Sequence, residues 1–441
     1  MMESSFVLIG MFASLVLLML TGAGLAFVLG AIAFLSTIAL WGPQALIVTV
    51  LNTYQTMMSE SLMAIPLYVL MAAILQKSAI IDDLYMAMEK WFGGLNGGLA
   101  IGTVVICTIM AAMTGVVGAA VAAMGILALP AMLRRGYNAP LALGTICAGG
   151  TLGILIPPSV ITIVFAITAQ ISIGQMFIAG IMPGLILAGS YCAYIWIRTR
   201  LNPSLAPLPE AGSTPPLRER IIALRTLILP VFVIMSVLGT IYMGLATPTE
   251  AAAVGVLGAV LSALVSGRFR ITILGDAAMD TLRVTAMILW ITIGAKAFIS
   301  VFVATGGADS VLDFVRGIEA SRWVVLGVMM AILILLGLFL DEIGIILLCV
   351  PVFMPIVRIL GFDPLWFGVL FMVTAQMAYI TPPFGYTLFY LKGVLPKGIG
   401  IGQVYRGVMP FFAIQVLVLI LFVAFPGIVT WLPELAMARQ R

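Results

Sequence analysis

Apolar stretches of about 20 residues, the length needed to cross a hydrocarbon layer, recur from one end of this chain to the other. They begin with FVLIGMFASLVLLML at 6–20 and end with FFAIQVLVLILFVAF at 411–425. Hydrophobic residues make up 63% of the chain and charged ones 9%, against roughly a quarter charged in a soluble domain. Such a chain cannot cover itself with a surface that water accepts. In lipid the backbone must satisfy its own hydrogen bonds, as helices or as a closed barrel. The alternating pattern of about ten residues that marks a barrel strand is missing, so the expected fold is an all-α polytopic membrane protein.

Segments 5–21, 24–40 and 60–77 read as three spans. The mixed sequence IIDDLYMAMEKWFGG at 80–94 suits an amphipathic helix along the interface. Residues 97–133 are apolar for too long to be one span, yet MTGVVGAA at 113–120 interrupts them. Two arms with small residues at the tip predict a re-entrant hairpin. A broken helix at 139–171 and a span at 176–197 complete a first half, 1–197. The proline-rich, charged linker 198–220 follows. Five arginines between Arg198 and Arg225 place it on the cytoplasmic side by the positive-inside bias.

After the linker the pattern starts over. Spans at 221–244, 248–266 and 280–304 precede an amphipathic piece around ADSVLDFVRGIEAS. A second hairpin at 323–360, a broken helix at 364–390 and a last span at 408–430 then complete a second half, 221–441. Pro130, Gly136, Pro157 and Pro158 recur at a constant offset of 225 as Pro355, Gly361, Pro382 and Pro383, and Tyr137-Asn138 matches Phe362-Asp363. This is an internal repeat. Five full crossings per half is an odd number, so the second half enters the membrane upside down. The first hairpin then enters from the cytoplasm and the second from outside.

Inverted repeats with discontinuous helices are the sequence signature of a secondary transporter. A proline cannot donate a backbone hydrogen bond and clashes with the preceding helical turn. Such a break is tolerated at membrane depth only where protein buries it or it lines a cavity. The expected first ion site therefore joins a hairpin tip (Thr114, Gly115, Gly118) to a break (Gly153, Ile156, Pro157, Ser159). The expected second site joins Asp341, Glu342 and Gly344 to Thr381, Pro382 and Gly385. Substrate is expected between them, near Thr114, Ser159, Asp341 and Thr381. Two readings of Asp341 and Glu342 stand open, a cation- or substrate-facing role and a tip that simply reaches water. Lys296, inside span 280–304, fits a site role or snorkelling to the interface equally well. TPTE at 247–250 has the form of a capping box.

The chain contains no histidine and four cysteines without metal-ligand spacing, which read as small packing residues. With no acid, base and nucleophile set, an intramembrane enzyme is not expected. A channel gains nothing from inverted hairpins. No cofactor and no nucleic-acid partner are expected. MMESS lacks the basic region of a signal peptide.

The combination of ATPTEAAAVGV at 246–256, GTLGILIPPSVI at 150–161 and ITPPFGYTLFYLKGV at 380–394 resembles the large (M) membrane subunit of tripartite ATP-independent periplasmic (TRAP) transporters, over essentially the whole chain. The resemblance implies an elevator-type fold, with a transport domain built from 97–171 and 323–390 moving against a scaffold of the other helices. It implies sodium as the coupling ion, with one site at Thr114–Gly115 and Ile156–Ser159 and another at Asp341–Glu342 and Thr381–Gly385. It further implies a small four-helix membrane subunit, here expected as a separate chain, and a periplasmic binding protein that delivers a small organic anion, carboxylate or sulfonate. The location implied is a bacterial or archaeal cytoplasmic membrane. A stand-alone sodium–dicarboxylate symporter of related fold is the alternative.

Overall fold

The computed structural model describes residues 2–78, 80–115, 117–207, 216–317 and 320–440, and every regular element among them is helical. The first half runs α1 (Met2–Leu20), α2 (Leu25–Trp41), α3 (Leu46–Met57), α4 (Ala64–Lys77) and α5 (Ile80–Phe92). It continues through the hairpin α6 (Gly98–Thr114) and α7 (Val117–Arg134), the broken pair α8 (Ala139–Thr151) and α9 (Val160–Ala169), and α10 (Ile173–Leu201). The second half runs α11 (Leu217–Ala223), α12 (Arg225–Tyr242), α13 (Pro248–Val265), α14 (Ile271–Ala304) and α15 (Gly307–Gly317). Its hairpin is α16 (Arg322–Leu336) and α17 (Glu342–Ile359), and its broken pair is α18 (Pro364–Ile380) and α19 (Tyr386–Lys392). Helices α20 (Ile401–Ala424) and α21 (Gly427–Gln440) close the chain. Eight helices among the described residues are long and apolar enough to cross a membrane.

The offset of 225 seen in the sequence also governs the elements: α17 begins and ends that far beyond α7, and α18 begins that far beyond α8. The repeated block between hairpin and broken helix has a local cause. Gly136 and Gly361 take left-handed backbone, φ +75° and +71°, which a side chain would resist. Two residues on, Asn138 and Asp363 cap α8 and α18 by accepting the amides of Leu141 at 3.3 Å and Trp366 at 2.8 Å. At α13 the capping box is complete: Thr247 Oγ1 accepts the Glu250 amide at 3.3 Å, and a Glu250 carboxylate oxygen accepts the Thr247 amide at 2.8 Å.

Three features differ from the sequence reading. Helix α3 lies between the second and third expected spans, where Asn52, Thr53 and Gln55 hide it from an apolar-run criterion. Its Asn52 amide donates to Ser300 Oγ of α14 at 2.7 Å. Helix α14 starts at Ile271, not 280, and the position 225 residues before that start is the beginning of α3. At 34 residues it is about 50 Å long, so its charged first turns extend past the roughly 30 Å apolar layer. There Asp280 pairs with Lys77 at 2.7 Å. Helix α21 follows the last span and packs on α10.

Packing relies on small residues, as expected where lipid removes the hydrophobic drive between helices. Helices α8 and α20 cross backbone to backbone: a Cβ on Gly144 would come within 2.0 Å of the Gly407 carbonyl oxygen. Helices α2 and α14 meet similarly at Gly294, where a Cβ would sit 2.7 Å from the Ala26 carbonyl oxygen. Each hairpin's returning arm packs on the second arm of the other half's broken pair, α7 on α19 and α17 on α9. That interlock places both tips beside both breaks.

Candidate functional site

The breaks come first, because they create the chemistry. In an unbroken helix Pro158 would donate to the Ile154 carbonyl and Pro383 to the Tyr379 carbonyl; neither proline has an N–H to give. Both Pro-Pro bonds are cis. The orphaned carbonyls are claimed by threonines. Thr162 Oγ1 donates to Ile154 O at 3.1 Å, and Thr387 Oγ1 donates to Tyr379 O at 2.8 Å. Both threonines are buried and lie 225 residues apart. Extending the repeat four residues past each proline pair would have found them in the sequence. Each thus stitches its broken helix across the gap and removes one carbonyl per break from the groups an ion could use. Thr162→Val and Thr387→Val should each cost about 1 kcal/mol, with the serine variants retaining most of it; thermal unfolding of the purified protein checks this.

At the first tip Gly115 ends α6 in left-handed backbone, φ +58°, with its amide on the Ala111 carbonyl at 3.0 Å. A Cβ there would sit 3.0 Å from the Pro158 carbonyl oxygen and from Ser159 Cα, so tip and break touch through bare backbone. Thr114 is the last residue of α6; its side chain lies outside the described residues. Ser159 is fully buried and caps α9, accepting the Thr162 amide at 3.5 Å. Gly153 lies in a short buried turn of 3-10 helix. Ile156 points its side chain at Gly184 of α10, which leaves only its backbone for the break. Gly118 faces the ring of Tyr390, which a Cβ would meet at 2.6 Å.

At the second tip Asp341 caps α17, its carboxylate accepting the Gly344 amide at 3.1 Å. Glu342 is the first helical residue. Both acids sit at the positive end of the α17 dipole. Gly344 packs against Leu25 of α2. Across the gap, Thr381 turns its hydroxyl back onto the Met377 carbonyl at 2.7 Å and accepts the Gly385 amide at 3.0 Å. Pro382 lies in the turn, and the Pro383 carbonyl accepts the Tyr405 hydroxyl at 3.1 Å.

Tip and break elements converge on a cavity of about 240 Å³, walled by Gly115, Gly118, Asp341, Glu342 and the tyrosines 379, 386 and 390, with Val160, Ile161 and part of α14 completing it. Ile156, Ser159 and Thr381 are not in its wall. A second cavity of about 520 Å³ shares Asp341, Tyr386 and Tyr390 and runs out past Phe27 and Trp290. The three tyrosines were missed in the sequence. Their rings form a series, Tyr379 stacked on Tyr386 at 5.2 Å and Tyr386 beside Tyr390 at 6.4 Å. The available signal was density: three of the chain's eleven tyrosines fall within twelve residues spanning the second break.

Comparison with known proteins adds an independent line. Residues 12–428 match the family described as "Tripartite ATP-independent periplasmic transporter, DctM component". The C4-dicarboxylate TRAP transporter large permease protein DctM of Pseudomonas aeruginosa is 33% identical over 399 residues, covering 90% of this chain and 92% of that protein. The ectoine/5-hydroxyectoine TRAP transporter large permease protein UehC of Ruegeria pomeroyi is 31% identical over 431 residues, covering 97% and 99%. Among solved structures, the YdaH transporter of Alcanivorax borkumensis superposes with a TM-score of 0.64 at 15% identity, covering 94% of this chain and 99% of that one. At that identity the likeness concerns the fold alone.

Proposed function

The chain belongs to the DctM-component family of TRAP transporters, and from that premise we propose that it imports a small organic acid by sodium-driven symport, through an elevator motion of its hairpins and broken helices. As a member of that family it is a transporter permease, not an enzyme, integral to a membrane, and it works with a small membrane subunit and a periplasmic binding protein. The finer reading adds a bacterial or archaeal inner membrane, a small subunit carried on its own chain, and cargo delivered to the cavity between the tips.

The observation that carries the reading is the convergence of both tips and the flanks of the second break on one cavity containing two carboxylates. One sodium ion would sit where Thr114, Gly115 and Gly118 meet Gly153, Ile156, Pro157 and Ser159. The backbone contact between Gly115 and Pro158–Ser159 brings carbonyl oxygens within a hard cation's reach. A second would sit among Asp341, Glu342, Gly344, Thr381, Pro382 and Gly385. The stitched threonines hold the breaks rigid while substrate binds, and the bare-glycine contacts let tip and break separate without dragging side chains. The proposed transport domain, 97–171 with 323–390, moves against the scaffold formed from the rest of the two halves.

Reconstitution with the small subunit and the binding protein tests this. Uptake should follow an imposed sodium gradient, and should stop when potassium replaces sodium. ATP without a gradient should give none. Sodium-driven uptake by this chain without any binding protein would instead indicate a stand-alone sodium–dicarboxylate symporter.

A further inference from the structure

The offset of 225 that aligns the two halves also marks a place where they differ. Thr114 at the first tip corresponds to Phe339 at the second, and Ser159 in the first break corresponds to Phe384 in the second. In the first half Ser159 is fully buried, and tip meets break through the backbone of Gly115 and Pro158–Ser159. In the second half the equivalent positions carry two rings whose centroids lie 5.7 Å apart at 36°. One ring comes from the tip, two residues before Asp341, and the other from the break, between Pro383 and Gly385. Both remain partly open, at 58% and 46% exposure. Together with Tyr386, Phe389 and Tyr390 they wall a cavity of about 460 Å³, and Phe339 also walls the 520 Å³ cavity that holds Asp341.

A phenylalanine supplies no ligand, so the second seam needs another account of these positions. The oxygens proposed for its ion come from both rims of the gap, Asp341 and Gly344 on the tip, Thr381 and Gly385 on the break. A hard cation holds its oxygen ligands at short, defined distances, and a shift of about an ångström is enough to undo such a site. The spacing across the gap therefore has to be held, and the ring pair joins the two rims directly. We propose that Phe339 and Phe384 form an aromatic clasp that holds the second tip against its break and so preorganises the second sodium site, with neither ring touching the ion. They are positioning residues, and the assignment rests on that ion site of the proposed function. The first half closes its seam by backbone contact instead.

The test compares Phe339→Ala and Phe384→Ala with the parent, in the full chain reconstituted with its small subunit and binding protein. The readout is the sodium concentration that half-saturates uptake. Each variant should raise it about three- to tenfold, the range an aromatic pair supports, because molecules with a displaced tip are withdrawn from ion binding. The double variant should do no worse than the worse single, since either ring loses its partner when the other is removed. Phe339→Tyr and Phe384→Tyr keep the rings and should keep the parent value. Phe389→Ala removes an exposed ring from the same cavity that pairs with neither phenylalanine, and should change nothing. Phe339→Thr with Phe384→Ser repeats the test with the side chains that the first half carries at these places, and should match the alanine double. Parent values in both alanine singles overturn the clasp, and so do losses that multiply in the double or an equal loss in Phe389→Ala. The parent separates this from the underlying reading: sodium-dependent parent uptake with unaltered ring variants removes the clasp alone, whereas parent uptake indifferent to sodium removes both.

Discussion

Asp341→Asn should lower sodium-dependent uptake by about a hundredfold or more and leave the fold as stable as the parent. The substitution is informative because Asp341 does two things that can be separated. As the N-cap of α17 it accepts the Gly344 amide at 3.1 Å, and asparagine caps as well as aspartate. The geometry of the tip should therefore persist while the negative charge disappears. A carboxylate held at membrane depth costs about 2.5–3.5 kcal/mol by insertion scales. A charge kept at that cost for ion binding should return a comparable amount on the ion, and a hundredfold corresponds to about 2.7 kcal/mol. Asp341→Ala removes cap and charge together and should add about 1 kcal/mol of destabilisation. Proteoliposome uptake across a sodium titration, run beside thermal unfolding, checks both. An unaltered sodium titration in the asparagine variant would reduce Asp341 to a capping residue.

Much of this architecture is legible without coordinates, and the reasons are local. The proline pairs, the left-handed Gly136 and Gly361, and the caps Asn138 and Asp363 are written in residue types whose backbone preferences are strong, so the repeat and its breaks survive in the sequence. What was missed depends on partners far along the chain. Helix α3 is polar enough to pass for a loop until Asn52 finds Ser300. The start of α14, 271–279, fell between two expected spans because Gly275 and Asp276 interrupt its apolar run. That the Ile156 side chain turns onto Gly184 of α10, leaving its backbone at the break, is likewise a matter of long-range packing. Tyr386 and Tyr390 reach the cavity from α19, which packs on α7, a contact no spacing rule supplies. Backbone chemistry is read locally; the direction of a side chain is decided by what packs against it.

The second large effect is expected from the proline pairs. Pro382→Ala with Pro383→Ala should abolish uptake, to below about one per cent of the parent level, while the chain still inserts and purifies as a folded species. Proline costs about 3 kcal/mol in a helix interior and alanine costs nothing, so the double change removes the main local obstacle between α18 and α19. In surroundings that offer the backbone no water, the new amides at 382 and 383 will take the carbonyls of Ala378 and Tyr379, because continuous helix is the default there. The Tyr379 carbonyl is the one Thr387 now occupies, so the stitch is displaced. Residues 384–390 would then be wound onto the axis of α18. Tyr386 and Tyr390 would swing away from Gly118 and from the acids of the second tip, and the cavity would lose one wall. Hydropathy is essentially unchanged, so insertion should be unaffected. The mirrored change, Pro157→Ala with Pro158→Ala, acts by the same route through Ile154 and Thr162 and should cost the backbone contact between Gly115 and Pro158–Ser159. Pro383→Ala alone restores a single donor that competes with Thr387 for one carbonyl, and should give an intermediate loss. The graded order of single, double and mirrored variants in sodium-driven uptake distinguishes breaks that hold ions from breaks that merely shape packing: parent-level uptake in both double variants would leave only the second.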